Sequence, residues 1–146
     1  MNEQPVFNLD GYLHSLRRLS GNKCDYWAEV FEITGDIKFS FRERANVLEV
    51  NILDFIPVGY RELEAFFETE FRSSLKSQEG DLIKLFVWDV VEYIQMTFRD
   101  VDPEVDPIHE KQSFIARAQS KFHGNYSYVV VPVKTKAIAV GVAARA

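Results

Sequence analysis

The first apolar residues of the chain recur at helical spacing. Leu9, Leu13 and Leu16 are separated by intervals of four and three residues, and Asn8 stands before them at a position suited to an N-cap. Gly21 follows the stripe, where glycine commonly ends a helix. The pattern predicts a short amphipathic helix that buries one side.

Two further helical segments are predicted in the middle of the chain. Residues 60–75 carry a stripe of Phe and Leu backed by charged residues, and Gly80 separates them from 82–98. The second segment is apolar almost all round, which is typical of a helix in a central position. A strand through 82–91 is the alternative, because Val and Trp favour β structure.

Alternating apolar and polar residues predict a β-meander over 24–54. Its strands are expected at 26–33, 37–42 and 48–54. With a tight turn at Arg44-Ala45, three apolar pairs fall on one face of the sheet, namely Phe41–Leu48, Phe39–Val50 and Ile37–Ile52. This agreement in register favours antiparallel pairing of the second and third strands.

The C-terminal region is predicted to form a helix followed by a hairpin. Asp106 and Pro107 suit the start of a helix that Gly124 would end. Beyond it, 126–133 and 137–143 have the apolar character of two strands joined at a Lys-Thr-Lys turn. We therefore expect an α+β fold, in which an antiparallel β-meander and a C-terminal β-hairpin pack against three to four helices. The hairpin either joins the meander or forms a separate small sheet.

Length and composition are those of one globular domain spanning residues 1–146. The chain is 47% hydrophobic, and its net charge is -5 at pH 7. Cys24 is the single cysteine, which excludes an internal disulfide and favours a reducing compartment. There is neither a signal-peptide pattern nor an apolar run long enough to cross a membrane. We expect a cytoplasmic protein with no membrane contact.

Charge is divided unevenly along the chain. All 22 acidic residues precede Lys111, whereas the remainder of the chain from Lys111 onward carries six basic residues and no acidic one. Such polarity steers a charged partner or orients copies of the protein. The alternative is that the acidic and basic regions neutralise each other within one fold. The alternative function is nucleic-acid binding, with base stacking on Tyr and phosphate contacts from basic side chains. The candidate contacts are Lys111, Arg117, Lys121, Tyr126, Tyr128, Lys134, Lys136 and Arg145.

Motifs for catalysis, metal binding and nucleotide binding are missing from the sequence. The acidic residues at 100–106 have the spacing of a calcium loop, but Lys111 stands where that loop needs a Glu. This segment is instead a solvated connector or a docking segment for a basic partner. The three histidines lack zinc spacing, and no glycine-rich phosphate loop or serine elbow occurs. We predict no catalytic residue, no cofactor and no small-molecule substrate, with an enzyme of unfamiliar site as a further alternative.

The leading hypothesis is a non-enzymatic interaction or assembly protein, either a homo-oligomer or an adaptor subunit of a larger complex. The first strand is apolar on both faces, so its second face needs a cover from the C-terminal segment or from another subunit. The last strand is lined by small residues and is expected to pair at an edge with a neighbouring chain. The candidate interface residues are Trp27, Phe31, Ile33, Ala137, Ala139, Gly141 and Ala143.

Overall fold

The computed structural model describes residues 3–47, 50–75, 78, 80–99, 113–120 and 124–144. In chain order the elements are α1 (Gln4–Leu19), β1 (Cys24–Glu32), α2 (Ile37–Val47), β2 (Val50–Val58), α3 (Tyr60–Ser74), α4 (Gly80–Arg99), β3 (Ser113–Ser120), β4 (Gly124–Val133) and β5 (Lys136–Ala144). The α+β class predicted from the sequence is confirmed.

The five strands form one antiparallel sheet in the order β1-β5-β4-β3-β2. The C-terminal hairpin therefore joins the earlier strands, and Trp27 on β1 pairs with Gly141 on β5. The β4–β5 turn places Lys134 at a φ of 60°, a left-handed conformation suited to a two-residue hairpin turn. Because β5 pairs with β1 on one side and β4 on the other, the prediction that it is an open edge is wrong.

Helices α1, α3 and α4 pack on one face of the sheet and enclose the larger core. Val129, Val131, Ile138 and Val140 project from the central strands into this core. The predicted helices over 9–19 and 60–75 are confirmed, although α1 already begins at Gln4. Residues 82–98 are helical rather than a strand, since α4 spans Gly80–Arg99 and packs between its neighbours.

The predicted strand at 37–42 is a helix, so the expected register with 48–54 is wrong. The carboxylate of Asp36 accepts a hydrogen bond from the backbone N–H of Lys38 at 2.9 Å, as an N-cap does. Ile37, Phe41 and Arg44 then share one side of α2, and Phe39 points to solvent. Ile37, Phe39 and Phe41 alternate with polar residues in the sequence as a strand would, but in the helix only Ile37 and Phe41 face the sheet.

The predicted helix after Asp106 is also wrong where the structure describes it, because 113–120 is strand β3. Phe114, Ala116 and Ala118 alternate on one face of β3, which lies between β2 and β4. The acidic segment 100–107 lies outside the described residues, and so do His109 and His123.

The two outer strands, β1 and β2, have different features that interrupt the free hydrogen-bonding edge. On β1, the backbone N–H of Ala28 donates to the Asp10 carboxylate of α1 at 2.9 Å. On β2, the register with β3 shifts between Ile52 and Asp54, and Pro57 lacks an N–H to donate. Within the ranges described, no helix has both the length and the apolar character needed to span a membrane.

Candidate binding surfaces

The sheet face opposite α1, α3 and α4 is rich in aromatic side chains, and we call it the aromatic face. Small residues on β3 and β5 lie between larger rings, and α2 packs across part of them. Phe41 of α2 is buried and contacts the rings of Phe31, Phe55 and Tyr128. The aromatic face comprises Trp27, Phe31, Phe55, Phe114, Ala116, Ala118, Tyr126, Tyr128, Val130, Ala137, Ala139 and Gly141.

The residues predicted as a protein interface converge on this face. Phe31, Ala137 and Ala139 are buried in its core, with Trp27 and Ile33 half-buried against them. Gly141 and Ala143 are also buried at the end of the face near Trp27. The second face of β1 does have a cover, and part of that cover is α2 of the same chain. Contact between these residues and another chain stays a prediction.

Two charged residues and one hydroxyl lie among the rings. Arg44 of α2 donates from Nε and Nη2 to the two carboxylate oxygens of Glu29, at 3.3 and 2.8 Å. The nearby hydroxyl of Tyr128 is buried and has no hydrogen-bond partner among the described residues. Burial raises the pKa of Tyr128 well above its usual range, and the Glu29 charge raises it further. The hydroxyl therefore stays protonated and is available as a donor.

A second polar cluster lies between β1 and α3. Tyr26 donates to the hydroxyl of Ser74, which donates to the carbonyl of Glu70 at 2.6 Å. Burial raises the pKa of the Glu70 carboxyl, while the charge of Arg117 acts in the opposite direction. Burial likewise raises the pKa of the Cys24 thiol, so Cys24 lacks the lowered pKa of a reactive nucleophile.

The predicted nucleic-acid contacts are dispersed in the described part of the chain. Arg117 is exposed on β3 opposite Ser127, whereas Lys134 lies at the hairpin turn, about 20 Å farther along β4. Lys136 is paired with Glu3 at 3.8 Å. Tyr126 is half-buried, and Tyr128 is covered by Phe41, so its ring offers no open face to a base. Lys111, Lys121 and Arg145 lie outside the described residues.

The outer side of α4 is a surface that sequence reasoning missed. Trp88 is 63% exposed and Leu85 is 45% exposed, and Leu82 and Met96 are exposed on the same side. The opposite side of the helix holds Ile83, Val87, Val90 and Ile94 in the core. The apolar character of 82–98 on all sides was the signal, because a helix of this kind is buried in a protein or covered by a partner.

In the ranges that the structure describes, no three His, Cys, Asp or Glu side chains form a cluster able to hold a metal ion. Comparison with protein-family models gives no match, and comparison with curated proteins gives none either.

Proposed function

We propose that the chain is a non-enzymatic assembly protein of the cytoplasm that forms a homodimer through the outer side of α4. The exposed indole of Trp88, flanked by Leu85 and Met96, is the observation that carries this proposal. Large apolar side chains grouped on one helix face mark association surfaces, and Trp is enriched among the residues that dominate binding energy. The free, buried thiol of Cys24 is compatible with a reducing compartment.

The partner proposed for this surface is a second copy of the chain, because the charges on either side of Trp88 are complementary to those of the same surface on another copy. Lys84 lies one helical turn before Trp88 and Glu92 one turn after it, on opposite flanks of the indole. A two-fold axis through Trp88 would pair α4 with its copy in antiparallel orientation. Lys84 of each protomer would then meet Glu92 of the partner subunit, which gives two equivalent ion pairs beside a Trp–Trp contact.

The test is the mass of the protein in solution, measured by size-exclusion chromatography with light scattering and by native mass spectrometry. We expect two copies for the wild type and one copy for Trp88→Glu, with unchanged circular dichroism. Phe39→Glu is the matched control, because Phe39 is 53% exposed but lies on α2, across the sheet from α4. A single-copy wild type at high concentration would overturn the homodimer, as would equal dissociation by Phe39→Glu.

A further inference from the structure

The exposed apolar side of α4 contains a thioether, that of Met96. This residue is 40% exposed, and it lies about two helical turns after Trp88 on the same side of the helix. The sequence has one other methionine, Met1, which lies outside the described residues. Among the residues that the structure describes, Met96 is therefore the one thioether that a dissolved oxidant can reach.

An exposed thioether reacts with a hydroperoxide by oxygen transfer. The O–O bond of the peroxide breaks and an S–O bond forms, so that sulfur loses two electrons and hydrogen peroxide leaves as water. The product is a polar sulfoxide, which sulfoxide reductases convert back to methionine with electrons from thiols. Cys24 does not compete for the oxidant. It is 4% exposed, and burial raises the pKa of its thiol, which keeps the sulfur in the less reactive protonated form.

In the antiparallel pair of α4 helices, Met96 faces an apolar residue of the other copy. Leu82 lies six residues before Trp88 and Met96 lies eight residues after it, which is about 9 and 12 Å along the helix axis. A two-fold axis through Trp88 reverses this order and brings Met96 close to Leu82 of the partner subunit. An apolar side chain offers no hydrogen-bond donor to a sulfoxide oxygen. The oxidised pair would therefore bury an unsatisfied polar group at two symmetric positions.

We propose that Met96 is a reversible oxidation site that controls the homodimer. Oxidation by a hydroperoxide separates the two copies, and a sulfoxide reductase allows them to pair again. This inference rests on the homodimer proposed above and adds its regulation. The fold itself is unaffected, because Met96 points away from the residues of α4 that pack in the core, such as Ile94.

Sedimentation equilibrium before and after treatment with hydrogen peroxide tests the switch, while peptide mass spectrometry locates the added oxygen. We expect the dissociation constant of the oxidised wild type to rise about tenfold or more, with unchanged circular dichroism. Methionine sulfoxide reductases with dithiothreitol should restore the original value. Met96→Leu keeps Met1 and Cys24 but lacks the thioether on α4. Peroxide should therefore not change the dissociation constant of this variant from its own untreated value.

The outcomes separate the switch from the homodimer. A wild-type dimer that keeps its dissociation constant when Met96 is fully oxidised would overturn the switch and leave the homodimer standing. An untreated wild type that is a single copy at high concentration would overturn both. If peroxide weakens Met96→Leu as much as the wild type, another residue is responsible and the switch fails. Failure of the reductases to restore the dimer would also overturn it.

Discussion

The indole of Trp27 occupies the space that a side chain at Gly141 would need. A Cβ built on Gly141 would lie 2.3 Å from both Cε2 and Cζ2 of Trp27, closer than real Cβ atoms approach other atoms. The two residues are cross-strand partners on β1 and β5. The glycine is therefore required for packing of this ring rather than for backbone freedom, since its φ is not positive.

Gly141→Ala should destabilise the protein by about 1–3 kcal/mol, because Trp27 must leave its position or the two strands must separate. Chemical denaturation measures this loss, and Trp fluorescence in a Trp88→Phe background reports the environment of Trp27 alone. Gly11→Ala is the control, because no atom lies within 4 Å of the added Cβ and the site is within α1. That substitution should stabilise by about 0.5–1 kcal/mol. Equal stabilities for the two variants would contradict the contact.

Phe41→Ala should cost about 3–5 kcal/mol, because it removes the ring that joins α2 to the sheet. Phe41 is 1% exposed and contacts three other rings, whereas Phe39 on the same helix is 53% exposed. Phe39→Ala should therefore change the unfolding free energy by no more than about 0.5 kcal/mol. Comparable losses from both substitutions would show that 37–47 does not pack as a helix with Phe41 inward.

Stability should depend on the ionisation of Glu70. Its folded-state pKa is raised by burial, against the opposing charge of Arg117 and close to Cys24, Tyr26 and Ser74. The native state therefore holds this proton more tightly than the unfolded state. Glu70 accordingly lowers stability as the pH rises from its ordinary value of 4.5 through the raised one.

Glu70→Gln removes this titration, so it should be more stable than the wild type at pH 7, and the difference should shrink as the pH falls through the raised pKa of Glu70 toward 4.5, below which this contribution is gone. Urea unfolding across this pH range measures the effect. Glu64→Gln, on the exposed side of α3, should retain the wild-type pH profile. A Glu70→Gln advantage that is independent of pH would contradict ionisation as its cause.

Charge reversal tests the orientation of the proposed dimer. Lys84→Glu and Glu92→Lys should each weaken dimerisation, because each places like charges together at two symmetric positions. The double variant restores opposite charges and should recover most of the affinity, with a coupling of about 0.5–3 kcal/mol. Sedimentation equilibrium measures the dissociation constants. Additive losses in the double variant would rule out the antiparallel arrangement centred on Trp88.

The α+β class and most helices were predictable because their apolar stripes are long and regular. Residues 37–42 were not, because two inward residues and one exposed Phe39 imitate the period of a strand. The Asp36 cap after Gly35 was the signal for a helix there. In β3 the small side chains of Ala116 and Ala118 carry little periodic information, and pairing with β2 and β4 determines the strand.

The candidate binding surfaces were harder to predict than the fold. The interface candidates lie together on one face of the sheet, and their contact with another chain stays a prediction; the sequence does not show that α2 covers part of this face. Tyr128 and Arg44 are far apart in sequence, and pairing of β4 within the sheet is what brings them near Glu29. Trp88 is exposed because the opposite side of α4 packs into the core. When a helix is apolar on all sides, its sequence does not show which side is buried.

Both edges of the sheet are protected against pairing with a strand of another molecule. One border is tied to α1 through Asp10 and Ala28, and the other is broken by the register shift after Ile52 and by Pro57. Strand addition from chain to chain is thus obstructed at both ends, which disfavours open-ended fibrils. In the proposed homodimer, association uses α4 instead of a strand, and a closed pair of molecules covers the exposed apolar side of that helix and leaves none of it for a third copy.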